Sequence, residues 1–286
     1  MTAPLWIVDG STVLLRAWFA DAPGTTPDGR PNGALRAARS TLRRLIKVHE
    51  MTHCAVVFDQ SLSTFRTRID PRYKAHRPAP PPELAQQFRW LEDVARALGC
   101  GVFGDPDHEA DDYAASLAER AVAAGMPVRI LADDKDLFQL VRDAHPDVCC
   151  ISLRTGDWVR AAEVEAKLGV RPDQVVDYQC LVGDRSDGVE GVPGVGAKTA
   201  AGLLAAVGSL EALWAAPERA AEAEVRGARK LPEKLLAHRQ TVALARRLVT
   251  LRRDLDLPED VLEQCRLDGI RREAPVWSEA GLRAPR

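Results

Sequence analysis

Residues 5–9 read Leu-Trp-Ile-Val-Asp, and two later stretches repeat the pattern: Cys54-Ala55-Val56-Val57-Phe58-Asp59 and Val128-Arg129-Ile130-Leu131-Ala132-Asp133-Asp134. Short apolar runs of this kind suit strands buried on both faces. Helical patterns lie between them. Residues 34–50 space Leu35, Ala38, Leu42, Leu45 and Ile46 along one helix face. Residues 111–124 put Leu117 and Val122 on one side, with Gly125 as a stop. Strands alternating with helices give βαβ units, hence an α/β fold with a mostly parallel central sheet flanked by helices. A weaker strand, residues 148–153, precedes a Thr155-Gly156-Asp157 turn.

Outward from this core the chain changes character twice. Residues 60–97 form a charged excursion broken by Pro71, Pro78, Pro80, Pro81 and Pro82, which reads as a functional flap rather than a packed element. From about residue 171 only helices and glycine-rich turns are expected, as far as residue 267, followed by a loosely structured tail at 268–286. The organisation is therefore a catalytic core at 1–170, a helical region at 171–267 and the tail.

The 286 residues are 46% hydrophobic and 28% charged, a globular composition that excludes disordered and fibrous classes. No apolar run approaches the roughly 18 residues of a membrane helix, and the start lacks signal-peptide features. No membrane partner is expected. Six scattered cysteines without a C-x-x-C pair read as buried thiols of a reducing, cytoplasmic compartment. The net charge is only −2, but residues 61–78 carry five Lys/Arg against Asp70, and residues 226–253 carry nine against Glu233. Basic stretches beside separate acidic knots point to a polyanion and a metal site.

The acids gather where the strands end. Asp9, Asp59 and Asp134 each follow a strand, the edge at which open parallel sheets bind ligands. Glu109, Asp111 and Asp112 open a helix, Asp136 lies two residues beyond Asp134, and Asp184 and Asp187 share the turn Gly183–Gly188. Without these nine carboxylates, 32 acids stand against 39 bases. Two carboxylates about 4 Å apart repel by about 4 kcal/mol at an effective dielectric near 20, so such a cluster needs cations or protons. Oxygen ligands without His or Cys favour Mg²⁺ or Mn²⁺, and two such ions are the usual apparatus of phosphodiester hydrolysis. Next comes Gly191-Val192-Pro193-Gly194-Val195-Gly196-Ala197-Lys198-Thr199, leading into a helix. Its glycines permit close backbone approach, and the helix start offers N–H groups to a phosphate. The P-loop spacing is absent.

Together the segments Val8-Asp9-Gly10, Val57-Phe58-Asp59, Phe65-Arg66, Tyr73-Lys74-Ala75-His76-Arg77, Glu109-Ala110-Asp111-Asp112, Asp134-Lys135-Asp136-Leu137, Gly183-Asp184-Arg185-Ser186-Asp187 and 191–200 resemble bacterial 5'-3' exonucleases of the flap endonuclease family, including the nuclease domain that opens DNA polymerase I. The resemblance covers residues 6 to about 258 and implies a PIN/5'-nuclease-like sheet. It implies two Mg²⁺ ions: Asp9, Asp59, Glu109, Asp111 and Asp112 match one group, and Asp134, Asp136, Asp184 and Asp187 the other. It makes residues 60–97 a helical arch for a 5' single strand, with Lys74 and Arg77 near the scissile phosphate and Arg66 near the arch base. Residues 183–206 match a helix–three-turn–helix, in which Gly191, Val192, Gly194, Val195, Gly196, Lys198 and Thr199 hold duplex DNA, with a monovalent cation such as K⁺. Implied partners are 5' flaps, nicked or gapped DNA and RNA primer–DNA hybrids, bound by a monomer in the nucleoid. The family's usual Asn and Pro after Ser-Asp are replaced by Gly188-Val189-Glu190, which puts loop rigidity and DNA grip in question. A flap-binding protein that cuts weakly or not at all therefore stays open as an alternative. A PIN-type RNase would lack the arch and glycine loop. With no polymerase following, the expectation is a stand-alone nuclease or a domain fragment.

Overall fold

In the computed structural model, which describes residues 2–21 and 23–284, the three quoted runs become β1 (Leu5–Asp9), β2 (His53–Val57) and a later strand at Val128–Leu131. Asp9 ends β1 and caps α1 (Gly10–Phe19), its Oδ1 accepting from the Thr12 N–H at 2.8 Å. Gly10 is required here, because a Cβ would stand 2.5 Å from the Phe58 ring. Next come α2 (Gly33–Val48), the short α3 (Phe65–Ile69), α4 (Pro82–Ala97) and β3 (Gly101–Phe103), a strand too short for periodicity to reveal. Then follow α5 (Ala110–Ala123), β4 (Val128–Leu131), a 3₁₀ turn at Lys135–Leu140, β5 (Val148–Ile151) and β6 (Trp158–Val159).

The six-stranded sheet has the order β3-β2-β1-β4-β5-β6, parallel except for β6. The chain steps from β1 toward β3, then returns to the other side of β1 for β4. The crevice at this reversal opens between the carboxyl ends of β1 and β4, the place where such sheets bind ligands. Side chains alternate across the sheet: Leu5 and Ile7 face α5 and the helical region, while Trp6 and Val8 pack with Leu14, Leu35, Leu42, Leu91 and Val94 on the opposite face.

The remaining elements are α6 (Ala161–Leu168), α7 (Val175–Val182), β7 (Gly183–Asp184), β8 (Val189–Glu190), α8 (Ala197–Val207), α9 (Leu210–Ala215), α10 (Leu231–Ala237), α11 (Arg239–Val249), α12 (Val261–Gln264) and α13 (Val276–Glu279). The expectation of helices and turns only after 171 is corrected by the β7–β8 hairpin. One apolar cluster runs from the sheet through Leu181, Leu203 and Leu248.

Two further expectations change. Pro81 and Pro82 start α4 rather than break it, since proline is tolerated in a first turn. Leu84, Trp90, Leu91 and Val94 of α4 are buried, so only the part before it is an excursion from the core. The tail is also packed: Trp277, Ala280 and Leu282 are buried, and Asn32 Nδ2 donates to the Ala280 carbonyl at 2.7 Å. Its apolar residues are too few and too widely spaced to show a period. Residues 285 and 286 lie outside the described residues. All six cysteines are buried free thiols. No helix among the described residues is long and apolar enough to cross a membrane.

Candidate functional site

The crevice at the end of β1 and β4 is walled by carboxylates. Burial, then repulsion by Asp59 and Asp134, pushes Asp9 up to about 7 despite its bonds from Thr12. Asp111, in the first turn of α5, is raised by burial and by Asp134, Asp9, Asp59 and Asp136. Burial and the charges of Asp134, Asp187 and Asp184 push Asp136 up to about 8. Asp134 is raised by loss of hydration, against the Asp136 N–H it accepts, with Asp187 and Asp184 adding repulsion. Asp59 sits beside them, its Oδ1 accepting from the Ala110 N–H at 2.9 Å. These groups act on one another as a crowded set of negative charges.

Basic side chains of the excursion lie over this set. Lys74 Nζ is 2.8 Å from Glu109 Oε2 and 3.6 Å from Asp187 Oδ2. Arg77 Nη2 is 2.6 Å from Asp187 Oδ1. The Tyr73 hydroxyl contacts both acids, 3.0 Å from Glu109 and 3.1 Å from Asp187. Lys135 Nζ holds Asp184 Oδ2 at 2.9 Å. Although burial alone would raise Asp184, bonds from Ser186 and Lys135 bring it below the ordinary range. Among the described residues no three of the carboxylates form a ready-made coordination sphere. Lys74, Arg77 and Lys135 engage the oxygens of Glu109, Asp187 and Asp184 instead.

Gly194 adopts φ +74° in the glycine loop, and Gly196 caps α8 without a side-chain hydrogen bond. Pro193, Gly194, Gly196, Ala197 and Lys198 are exposed, Gly191 and Thr199 half-buried.

Family models for the 5'-3' exonuclease N-terminal resolvase-like domain and the 5'-3' exonuclease C-terminal SAM fold match residues 4–169 and 170–273. The chain belongs to the 5'-3' exonuclease family. It is 35% identical to a 5'-3' exonuclease of Aquifex aeolicus over 88% of this chain and 83% of that protein. It is 40% identical to DNA polymerase I of Pseudomonas aeruginosa over 91% of this chain, but it spans only 28% of that polymerase. The fold matches bacteriophage T5 5'-exonuclease solved with divalent metal ions (zinc), at TM-score 0.72 and 21% identity over 91% of this chain and 96% of that one. A T5 D15 flap endonuclease variant, solved with DNA and metal ions, matches at TM-score 0.68 and 23% identity over 91% and 92%.

For a member of this exonuclease family the donor set suits hard divalent cations. The crowded groups are all carboxylates, and a cation would relieve the repulsion that raises Asp9, Asp111, Asp134 and Asp136. Two expected site residues are placed elsewhere. Asp112 is fully buried and takes a bidentate pair from Arg66 at 2.6 and 2.7 Å, plus the N–H groups of Glu109 and Arg252. Both of its oxygens are engaged by these donors. Arg66 is 1% exposed and also donates to the Leu248 carbonyl, bracing the layer in which Asp112 sits. The spacing of the acids gave no sign of this, because a capping acid and a ligand acid look alike in sequence. The side chains of Val192 and Val195 are buried in the core.

Asp133 accepts from Arg16, Ser152 and the Arg154 N–H, tying β4 to the β5–β6 turn, while Asp134 caps the 3₁₀ turn. In the second basic stretch, Arg246 pairs with Asp177 and Glu211, Arg252 with Asp254 and Arg253 with Glu119. That stretch is therefore less available to a polyanion than its composition suggests. Sequence reading missed three contacts: Tyr73 bridging two acids, Lys135 on Asp184, and Lys234 Nζ 3.1 Å from where a Gly194 Cβ would stand. Of these only Lys135, set between two acids, carried a signal.

Proposed function

We propose that this protein is a structure-specific, two-metal-ion 5'-3' exonuclease and flap endonuclease that hydrolyses phosphodiesters at 5' ends and flaps in DNA during replication and repair. The observation that carries this reading is the set of mutually repelling carboxylates at the β1/β4 crevice, overlaid by Lys74 and Arg77 and flanked by an exposed glycine loop.

Asp9, Asp59, Asp111, Asp134 and Asp136, with Glu109, Asp184 and Asp187, would hold two Mg²⁺ ions, and Mn²⁺ would serve in their place. When bound, the ions supply a water of lowered pKa and positive charge at the leaving oxygen. The chain's own residues do the rest. Lys74 remains an ammonium, because Glu109 and Asp187 outweigh the burial that would neutralise it. A phosphate drawn to the crevice competes for Lys74 and Arg77, which then stabilise charge on the transferring group. Lys198, the exposed N–H groups of the α8 first turn and a monovalent cation such as K⁺ hold the duplex backbone. Substrates on this reading are 5' flaps and nicked or gapped duplexes, with RNA primer–DNA hybrids as a further class. The protein acts as a monomer on cytoplasmic, nucleoid DNA.

The test is a 5'-labelled flap duplex incubated with the protein in Mg²⁺ or in EDTA. Cleavage near the junction in Mg²⁺ alone is expected. Tight binding without product in either Mg²⁺ or Mn²⁺ would contradict the reading and leave a flap-binding protein.

A further inference from the structure

The turn at residues 183–188 is packed against the base of the excursion. Gly188 has φ +72°, and a Cβ there would stand 2.8 Å from the Arg72 carbonyl oxygen. The Lys74 N–H donates to the Asp187 carbonyl at 2.8 Å, and Lys74 itself sits at φ +52°, an unfavourable conformation for a side-chain-bearing residue. Arg77 Nη2 donates to the Ser186 carbonyl at 3.3 Å as well as to Asp187. Arg72 joins Asp70 to Glu190 at 2.8 and 2.9 Å.

At its other end the hairpin is pinned backbone to backbone. A Cβ on Gly183 would stand 2.4 Å from the Gly191 nitrogen, and one on Gly191 would stand 2.3 Å from the Val182 carbonyl carbon. Residues 183–191 are thus a short, glycine-cornered strut. It runs from the glycine loop, past Asp184 and Asp187, to the backbone of residues 72–74.

From these contacts we infer that the β7–β8 hairpin positions Lys74 and Arg77 over the carboxylates, and that Gly188 and Glu190 are positioning residues that set turnover without touching DNA. The turn is held to the excursion by a close backbone approach at Gly188 and an ion pair at Glu190. The inference rests on the nuclease reading for its kinetic consequence, but not for its structural one. A methyl at 188 displaces the Arg72 carbonyl or distorts the turn, and either moves Lys74. The exposed Glu190–Arg72 pair contributes less, as surface pairs do.

The experiment compares wild type, Gly188→Ala, Lys74→Ala and the double variant in single-turnover flap cleavage. Flap binding, Mg²⁺ titration and hydrogen exchange are measured alongside. Gly188→Ala is expected to slow cleavage about tenfold, with flap affinity and the Mg²⁺ midpoint unchanged within about twofold. In the Lys74→Ala background the same change should cost clearly less, about threefold, because only Arg77 is left to be displaced. Amides of residues 70–77 should lose protection while the sheet keeps its own. If Gly188→Ala does not fold, Glu190→Lys, on the exposed rim, is expected to slow cleavage about threefold with the same dependence on Lys74. A full effect in the Lys74→Ala background, a parallel loss of flap affinity, or unchanged exchange at 70–77 would overturn the inference. An inactive wild type would instead refute the nuclease reading and leave the exchange result to decide the strut.

Discussion

Removing the guanidinium at position 66 is expected to damage the fold before it damages chemistry. Arg66 and Asp112 are 1% and 0% exposed, and their two hydrogen bonds measure 2.6 and 2.7 Å. Arg66 Nε also satisfies the Leu248 carbonyl at 2.7 Å. Arg66→Ala leaves a buried carboxylate with only two backbone donors, those of Glu109 and Arg252. Breaking one side of such a pair typically costs about 3–5 kcal/mol, a large part of a domain's stability of roughly 5–15 kcal/mol. In urea, with m near 3 kcal/mol/M, the midpoint should fall by about 1 M or more. Arg66→Lys keeps the charge but loses the fork and the Leu248 bond, and should recover only part of the loss. Asp112→Asn combined with Arg66→Met removes both charges and should be less destabilising than Arg66→Ala alone. A midpoint for Arg66→Ala within about 0.3 M of wild type, equivalent to roughly 1 kcal/mol, would refute the bracing role and return Arg66 to the substrate side.

Gly10→Ala drives a methyl against Phe58 and Val56 and should cost about 1–3 kcal/mol by urea unfolding. Asp105 is drawn down to about 2: burial opposes the shift, but bonds from Tyr113, His108 and two backbone N–H groups outweigh it. A depressed carboxyl pKa stabilises the fold above the ordinary value of 3.8, and that contribution disappears as pH falls through about 2. Asp105→Asn should therefore be less stable than wild type by about 1–2 kcal/mol at pH 6, allowing for partial exposure, with the difference shrinking between about pH 4 and pH 2. Lys198→Ala should weaken duplex binding nearly uniformly across sequences and lower the salt slope by about one ion, measured by titration at several salt concentrations.

The sheet was legible because its three main strands are continuous apolar runs ending in acid, a pattern set by burial on both faces. β3 and β6 were not, since three and two residues carry no period. The excursion was only half legible. The prolines that open α4 resemble breakers unless the apolar spacing after them is weighed, with Leu84, Leu91 and Val94 falling on the buried face. At the site, residue type identified the acids but not their tasks. Asp111 and Asp112 are adjacent in sequence; helical geometry turns one toward Asp9 and Asp134 and the other onto Arg66. That division depends on Leu248 and Arg252, more than a hundred residues away, and no local pattern could contain it. The sequence of the glycine turn suggests a loss of rigidity, yet Gly188 is where two backbones meet.

The most direct test of the account is the rate of Mg²⁺-dependent flap cleavage by Asp111→Asn, with flap affinity measured in parallel. The substitution keeps the shape and removes the charge most surrounded by other carboxylates. A loss of about a hundredfold or more in rate, with affinity retained or improved, is the predicted result. Cleavage at the wild-type rate would contradict the assignment of the β1/β4 crevice as the metal-holding centre.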